Sequence, residues 1–135
     1  MTPAAVPPPG FVAVCQKWVD RRPEVDALTG AVSADPRTRG PSAADQAALE
    51  WALRAAGAWG SPVLVVTAGP VGADGMLREA LAAGADRAVR VDLEITAPSP
   101  AVAAALAGIV AGAALVLCGD WSLDRGSGSV PAYLA

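Results

Sequence analysis

Apolar residues along this chain fall into short unbroken runs, separated by segments whose apolar positions recur at helical spacing. Phe11 to Cys15 ("FVAVC") predicts a short buried strand, and Pro62 to Thr67 ("PVLVVT") a second, apolar on both faces. Arg87 to Val91 and Ala113 to Cys118 supply a third and a fourth. Ser42 begins a helix, because its hydroxyl can cap the first turn and Asp45 sits where a negative charge suits a helix N-terminus. Through "AALEWALRAAG", Ala48, Leu49, Ala52, Leu53 and Ala56 form one apolar stripe, Glu50 and Arg54 pair at i, i+4, and Gly57 marks the stop. After a Gly69-Pro70 turn, "GMLREALAAG" predicts a helix with Met76, Leu77, Ala80 and Leu81 facing inward and Gly84 ending it. Ser99-Pro100 starts a third helix, with Ser99 as cap, running to about Gly112. Val19 to Arg39 is irregular, except that Leu28-Thr29-Gly30-Ala31 is placed to turn a small hairpin.

Strands that are apolar throughout and alternate with helices imply a parallel sheet covered on both faces, a doubly wound α/β layer. Such sheets take ligands at the carboxyl ends of their strands, where strand order reverses. The loops leaving the first strand, from Gln16, and the fourth, from Gly119, are therefore the candidate site. "GDWSLDRGSGS" offers Gly119, Gly126 and Gly128 for close backbone approach, hydroxyls at Ser122, Ser127 and Ser129, and the cation Arg125. "SVPAYLA" predicts the first turn of a helix capped by Ser129, whose free N–H groups suit an anion. The loop is neither a Walker loop nor GxGxxG, and a flexible surface linker has the same composition. Asp120 and Asp124 are the residue type for metal or acid–base chemistry, but no other loop supplies a third ligand. Trp121 is placed to cover a ring.

Composition narrows the classes. The chain has 135 residues, enough for one domain, with 53% hydrophobic residues and a mean hydropathy of +0.41, but only 4% aromatic, so its core is close-packed with few large anchors. A net charge of −3 without any basic run excludes a nucleic-acid binder. The absence of His removes Ser-His-Asp and Cys-His catalysis and leaves too few soft ligands for zinc. Cys15 and Cys118 sit in apolar runs and are expected as buried reduced thiols of a cytoplasmic protein rather than a disulfide or redox pair. Residues 1–10 ("MTPAAVPPPG") are expected as a disordered leader, with 11–135 as the domain. Ala101 to Cys118 is about long enough to span a bilayer. Its large residues, however, fall into two groups, Val102/Leu106/Ile109/Val110 and Leu115/Val116/Leu117, which predicts a buried helix followed by a buried strand and no membrane insertion.

At "LREALAAGADRAVRV" (Leu77 to Val91), preceded by "TAGP" (Thr67 to Pro70), the chain resembles the N-terminal portion of the electron transfer flavoprotein beta subunit. "AALEWALR" (Ala47 to Arg54), "FVAVCQKWVD" (Phe11 to Asp20) and "CGDWSLDRGSGSVPAYLA" (Cys118 to Ala135) keep that family's order and spacing. The resemblance implies an adenine-nucleotide-binding, Rossmann-like (HUP) domain, incomplete at its C-terminal end, since family members continue well beyond this point. It implies an electron-transfer component without catalytic side chains of its own. It further implies AMP, or FAD in bifurcating members, in this domain, and a heterodimer with an alpha subunit that shares FAD and takes electrons from flavin dehydrogenases.

By the same resemblance the nucleotide is touched at Val14, at Ser42, Ala43, Ala44 and Asp45, at Ala68, and along the loop at Gly119, Asp124, Arg125, Gly126, Ser127, Gly128, Ser129 and Val130. The chain departs from the family where Ser42 and Ala43 replace Asn-Pro and where Asp120 and Trp121 replace Lys-Gln. Arg125 is then expected to restore near the phosphate the cation that Asp120 removes. These departures resemble a divergent branch, of the kind associated with mycofactocin. A reading from another class is a stand-alone adenine-nucleotide module similar to universal stress proteins. A third is a small α/β enzyme using Asp120 or Asp124.

Overall fold

The structure, a computed structural model, describes residues 10–135, so the expected leader lies, apart from Gly10, outside the described residues. Strand β1 (Phe11–Cys15) leads into two small antiparallel ribbons, one nested inside the other. The inner pairs β3 (Glu24–Val25) with β4 (Val32–Ser33); the outer pairs β2 (Val19–Asp20) with β5 (Arg39–Gly40). The hairpin therefore turns where the sequence places it. Asp26 Oδ1 accepts from the N–H groups of Leu28 and Thr29, and Gly30 takes φ +70°. Helices α1 (Ala43–Trp59), α2 (Asp74–Ala83), α3 (Ser99–Val110) and α4 (Val130–Leu134) then alternate with β6 (Val63–Gly69), β7 (Arg87–Asp92) and β8 (Ala113–Cys118).

β7, β6, β1 and β8 form one parallel sheet in that order. One face packs Val12, Val14, Val63 and Val65 against Ala48, Ala52 and Ala56 of α1 and Leu77 and Ala80 of α2. The other packs Ala13, Cys15, Leu64 and Val66 against Leu106 and Val110 of α3, with Leu134 of α4 at its edge. Helices on both faces of a parallel sheet make this a Rossmann-like α/β fold. Ala101 to Cys118 is divided between α3 and β8, and among the described residues no helix is long and apolar enough to cross a membrane.

Several local expectations give way to packing. Burial on both faces holds for the central β1 and β6, whereas β7 and β8 are edge strands and are partly exposed. Helix α1 runs through Gly57 and stops at Gly60, in the left-handed region at φ +66°, because Trp59 still packs on the core beyond Gly57. Leu81 is 41% exposed, since α2 rests near the sheet edge and only Met76, Leu77 and Ala80 turn inward. Pro98, not Ser99, occupies the N-cap of α3: its extended backbone precedes the first turn and its carbonyl accepts from Ala101 and Val102. That helix ends at Val110, and Ala111-Gly112 turn into β8.

Candidate functional site

From β1 the chain builds outward through β6 to β7, then crosses back to lay β8 on the far side of β1. Strand order reverses between β1 and β8, and the crevice at their carboxyl ends is where such sheets take ligands. A cleft opens there. Its cavity volume is about 90 Å³. Cys15 to Trp18 form one wall, Ala68 to Pro70 a second, and the loop from Gly119 to Pro131 the cover.

Asp45 ties this rim together. Placed in the first turn of α1 by the Ser42 cap, it is 5% exposed and its carboxylate accepts from the N–H of Lys17, at 2.8 Å, and from that of Gly119. One side chain thus binds the residues that follow β1 and β8. Burial pushes its pKa up to about 6, against the pull of the two N–H groups and the Lys17 charge. A Cβ on Gly119 would collide with the Asp45 carboxylate and the Ala44 backbone, so this approach requires glycine.

The covering loop is folded rather than loose. Gly126 and Gly128 take φ +63° and +54°, and a Cβ on Gly128 would strike the Asp120 carbonyl. Lys17 Nζ pairs with Asp124 at 2.7 Å, clasping the loop to the exit of β1. Arg125 donates to the carbonyls of Thr96, at 2.7 Å, and Ala97, at 3.2 Å, and so reaches across the cleft. Its guanidinium is hydrogen-bonded to these two carbonyls at the cleft. Ser129 stands at the N-cap of α4 without a capping hydrogen bond, its hydroxyl bonding that of Ser127 instead. With α4 only five residues long, the cleft draws little from a helix dipole.

Of the residues singled out in the sequence, Asp45, Ala68, Gly119, Arg125, Ser127, Gly128, Ser129 and Val130 line the cleft together. Val14 does not: it is fully buried between β6 and β8. Ser42 is fully buried, its hydroxyl donating to the Trp121 carbonyl, and Ala43 and Ala44 lie on α1 away from the lining. Asp124 and Gly126 shape the loop from outside the lining. Trp121 lines the cleft and is half exposed.

Sequence reasoning placed the loop from Gln16 at the site without giving the Gln16 side chain a role, and missed both strand-end cysteines as lining residues. Gln16 extends the β1–β6 pairing by donating its N–H to Val66 at 2.9 Å. Its side chain is 5% exposed and its Oε1 is buried with no partner among the described residues. A polar residue directly after an apolar strand, at a predicted switch point, was the available signal. Among the described residues no group of three or more His, Cys, Asp or Glu is placed to hold a metal ion.

The topology and the placement of this cleft define the class: an open, doubly wound α/β domain with its crevice at the reversal of strand order. The family model described as "Electron transfer flavoprotein domain" matches residues 31–135. The chain belongs to the electron transfer flavoprotein family. A search of curated proteins found no match.

Proposed function

We propose that the chain acts as a beta-type electron transfer flavoprotein subunit. Its cleft would hold AMP, or FAD in the same place, and it would pair with an alpha subunit that shares FAD and receives electrons from a flavin dehydrogenase. The observation that carries this reading is the cleft itself: a crevice at the switch point, floored by two strand ends and covered by a glycine loop, in a chain of this family.

The residues suit an adenylate. The orphaned Gln16 Oε1 lacks a donor, which a base amino group or a ribose hydroxyl would supply. The left-handed turns at Gly126 and Gly128 would let the loop backbone, bare of side chains there, face the phosphates. Lys17 and Arg125 carry the positive charge at the rim and would exchange Asp124 and the Thr96 and Ala97 carbonyls for phosphate oxygens. When bound, flavin supplies the redox chemistry; the chain's own groups bind, orient and screen charge.

Isothermal calorimetry with AMP, ADP, ATP and FAD tests the reading. A saturable heat with AMP or FAD is expected, and a flat baseline with all four overturns it. ATP bound to a homodimer would favour the stand-alone module similar to universal stress proteins instead. Co-expression with an alpha subunit, followed by an absorption spectrum and nucleotide extraction from one sample, tests the pairing.

A further inference from the structure

Cys15 closes β1 and Cys118 closes β8, and the two are register partners on neighbouring parallel strands. Neighbouring strands stand about 4.8 Å apart, inside the roughly 4.4–6.8 Å Cα window that a disulfide requires. Both side chains face the α3 side of the sheet, in one apolar cluster, and both line the cleft. Cys15 is 7% exposed while Cys118 is partly exposed, so a solute in the cleft meets Cys118 first. They are the only two cysteines of the chain.

We propose that Cys15 and Cys118 form a reversible dithiol–disulfide site at the floor of the cleft, oxidised by a hydroperoxide. The thiols differ in a way that suits such a step. The hydrogen bond between them and then burial push the Cys15 thiol far up, whereas the same hydrogen bond draws Cys118 below its ordinary value against the cost of burial. Cys118, the more accessible of the two thiols, is the nucleophile. The pair lies at the floor of a cleft that opens to solvent, within reach of a small oxidant such as hydrogen peroxide.

The Cys118 thiolate attacks one peroxide oxygen and the O–O bond breaks. The departing hydroxide takes up a proton to leave as water, and Cys118 becomes a sulfenic acid. Cys15 then attacks that sulfur, its proton leaves with the displaced hydroxide as a second water, and the S–S bond forms. Two thiols and one peroxide have become one disulfide and two waters. Parallel register partners keep their Cβ atoms about one strand spacing apart, wider than the roughly 3.8 Å of a relaxed disulfide. The bridge therefore forms by drawing the strand ends together, and the resulting strain favours its reduction by a dithiol.

The test reads the thiols alone and does not depend on a nucleotide binding. The full chain is treated with a slight excess of hydrogen peroxide, then alkylated and digested. Both thiols should be lost, the Cys15 and Cys118 peptides should be recovered cross-linked within one chain, and dithiothreitol should restore them. Cys15→Ser should stop at a Cys118 sulfenic acid trapped by dimedone, and Cys118→Ser should leave Cys15 alkylatable at the same dose, with circular dichroism confirming that each variant is folded. Wild-type thiols that both survive, a link only between separate chains, or dimedone capture at Cys15 in Cys118→Ser would each overturn the proposal.

Discussion

Asp45 shows how one residue can set the cleft. Its carboxylate holds the exits of β1 and β8 by two backbone N–H groups, and burial makes its charged form costly. Its folded pKa of about 6 lies above the ordinary 3.8, so its contribution to stability is complete below the ordinary value and is lost as pH rises through about 6. Asp45→Asn cannot titrate. Between about pH 4 and pH 7 the wild type should therefore lose about 2 kcal/mol more stability than the variant, read as the change in the difference between their urea midpoints. Gly119→Ala addresses the same contact sterically. Its Cβ meets backbone and a buried carboxylate that cannot move away, so unfolding should be easier by about 1–3 kcal/mol in the same assay.

Elements meet at two clasps on the carboxyl rim. Arg90 of β7 joins Asp74 of α2 at 2.7 Å, Asp92 at 2.9 Å and the Gly69 carbonyl of β6 at 3.0 Å, with only 19% of its side chain exposed. Because that carbonyl and Asp74 would lose a charged donor, Arg90→Ala should lower stability by about 1–2 kcal/mol in thermal denaturation. The second clasp, Lys17 to Asp124, is more exposed and holds the terminal loop down. Asp124→Asn keeps the shape of the side chain and releases the lysine charge toward the cleft. AMP affinity in calorimetry should then rise severalfold, with little change in melting temperature, because such half-exposed pairs contribute little to stability. Unchanged affinity would exclude Lys17 as a phosphate contact.

At the scale of the whole molecule, the order β7-β6-β1-β8 puts both candidate loops on one rim. The alternation of apolar runs with helical spacing was enough to name a doubly wound layer, because fully buried strands need no polar face and their crossovers need amphipathic helices. The edge of that layer was less legible. Arg87, Val89 and Arg90 in β7 read as an interior strand, but exposure depends on whether another strand lies beyond. The proposed pairing with an alpha subunit is also tested at this scale. Co-purification of a yellow complex containing this chain is expected, and its loss on truncating α4 would show that Leu134, anchored to the α3 face of the core, orders the terminal loop for the partner.

The sequence by itself determined the alternation of elements, the caps and turns at Ser42 and Gly30, and the family resemblance, since all of these rest on local periodicity, backbone preference and motif. It also located the cleft to within two loops, because the place where strand order reverses is a matter of topology. Only the tertiary structure decided which atoms face that cleft. Val14 and Ser42 are sealed by packing, and Arg125 is taken up by the Thr96 and Ala97 carbonyls. Gln16, Cys15 and Cys118 come to the surface of the crevice because neighbouring strands end level with one another. Register, burial and hydrogen-bond partnership are set between segments far apart in the chain, and no short stretch of residues encodes them alone.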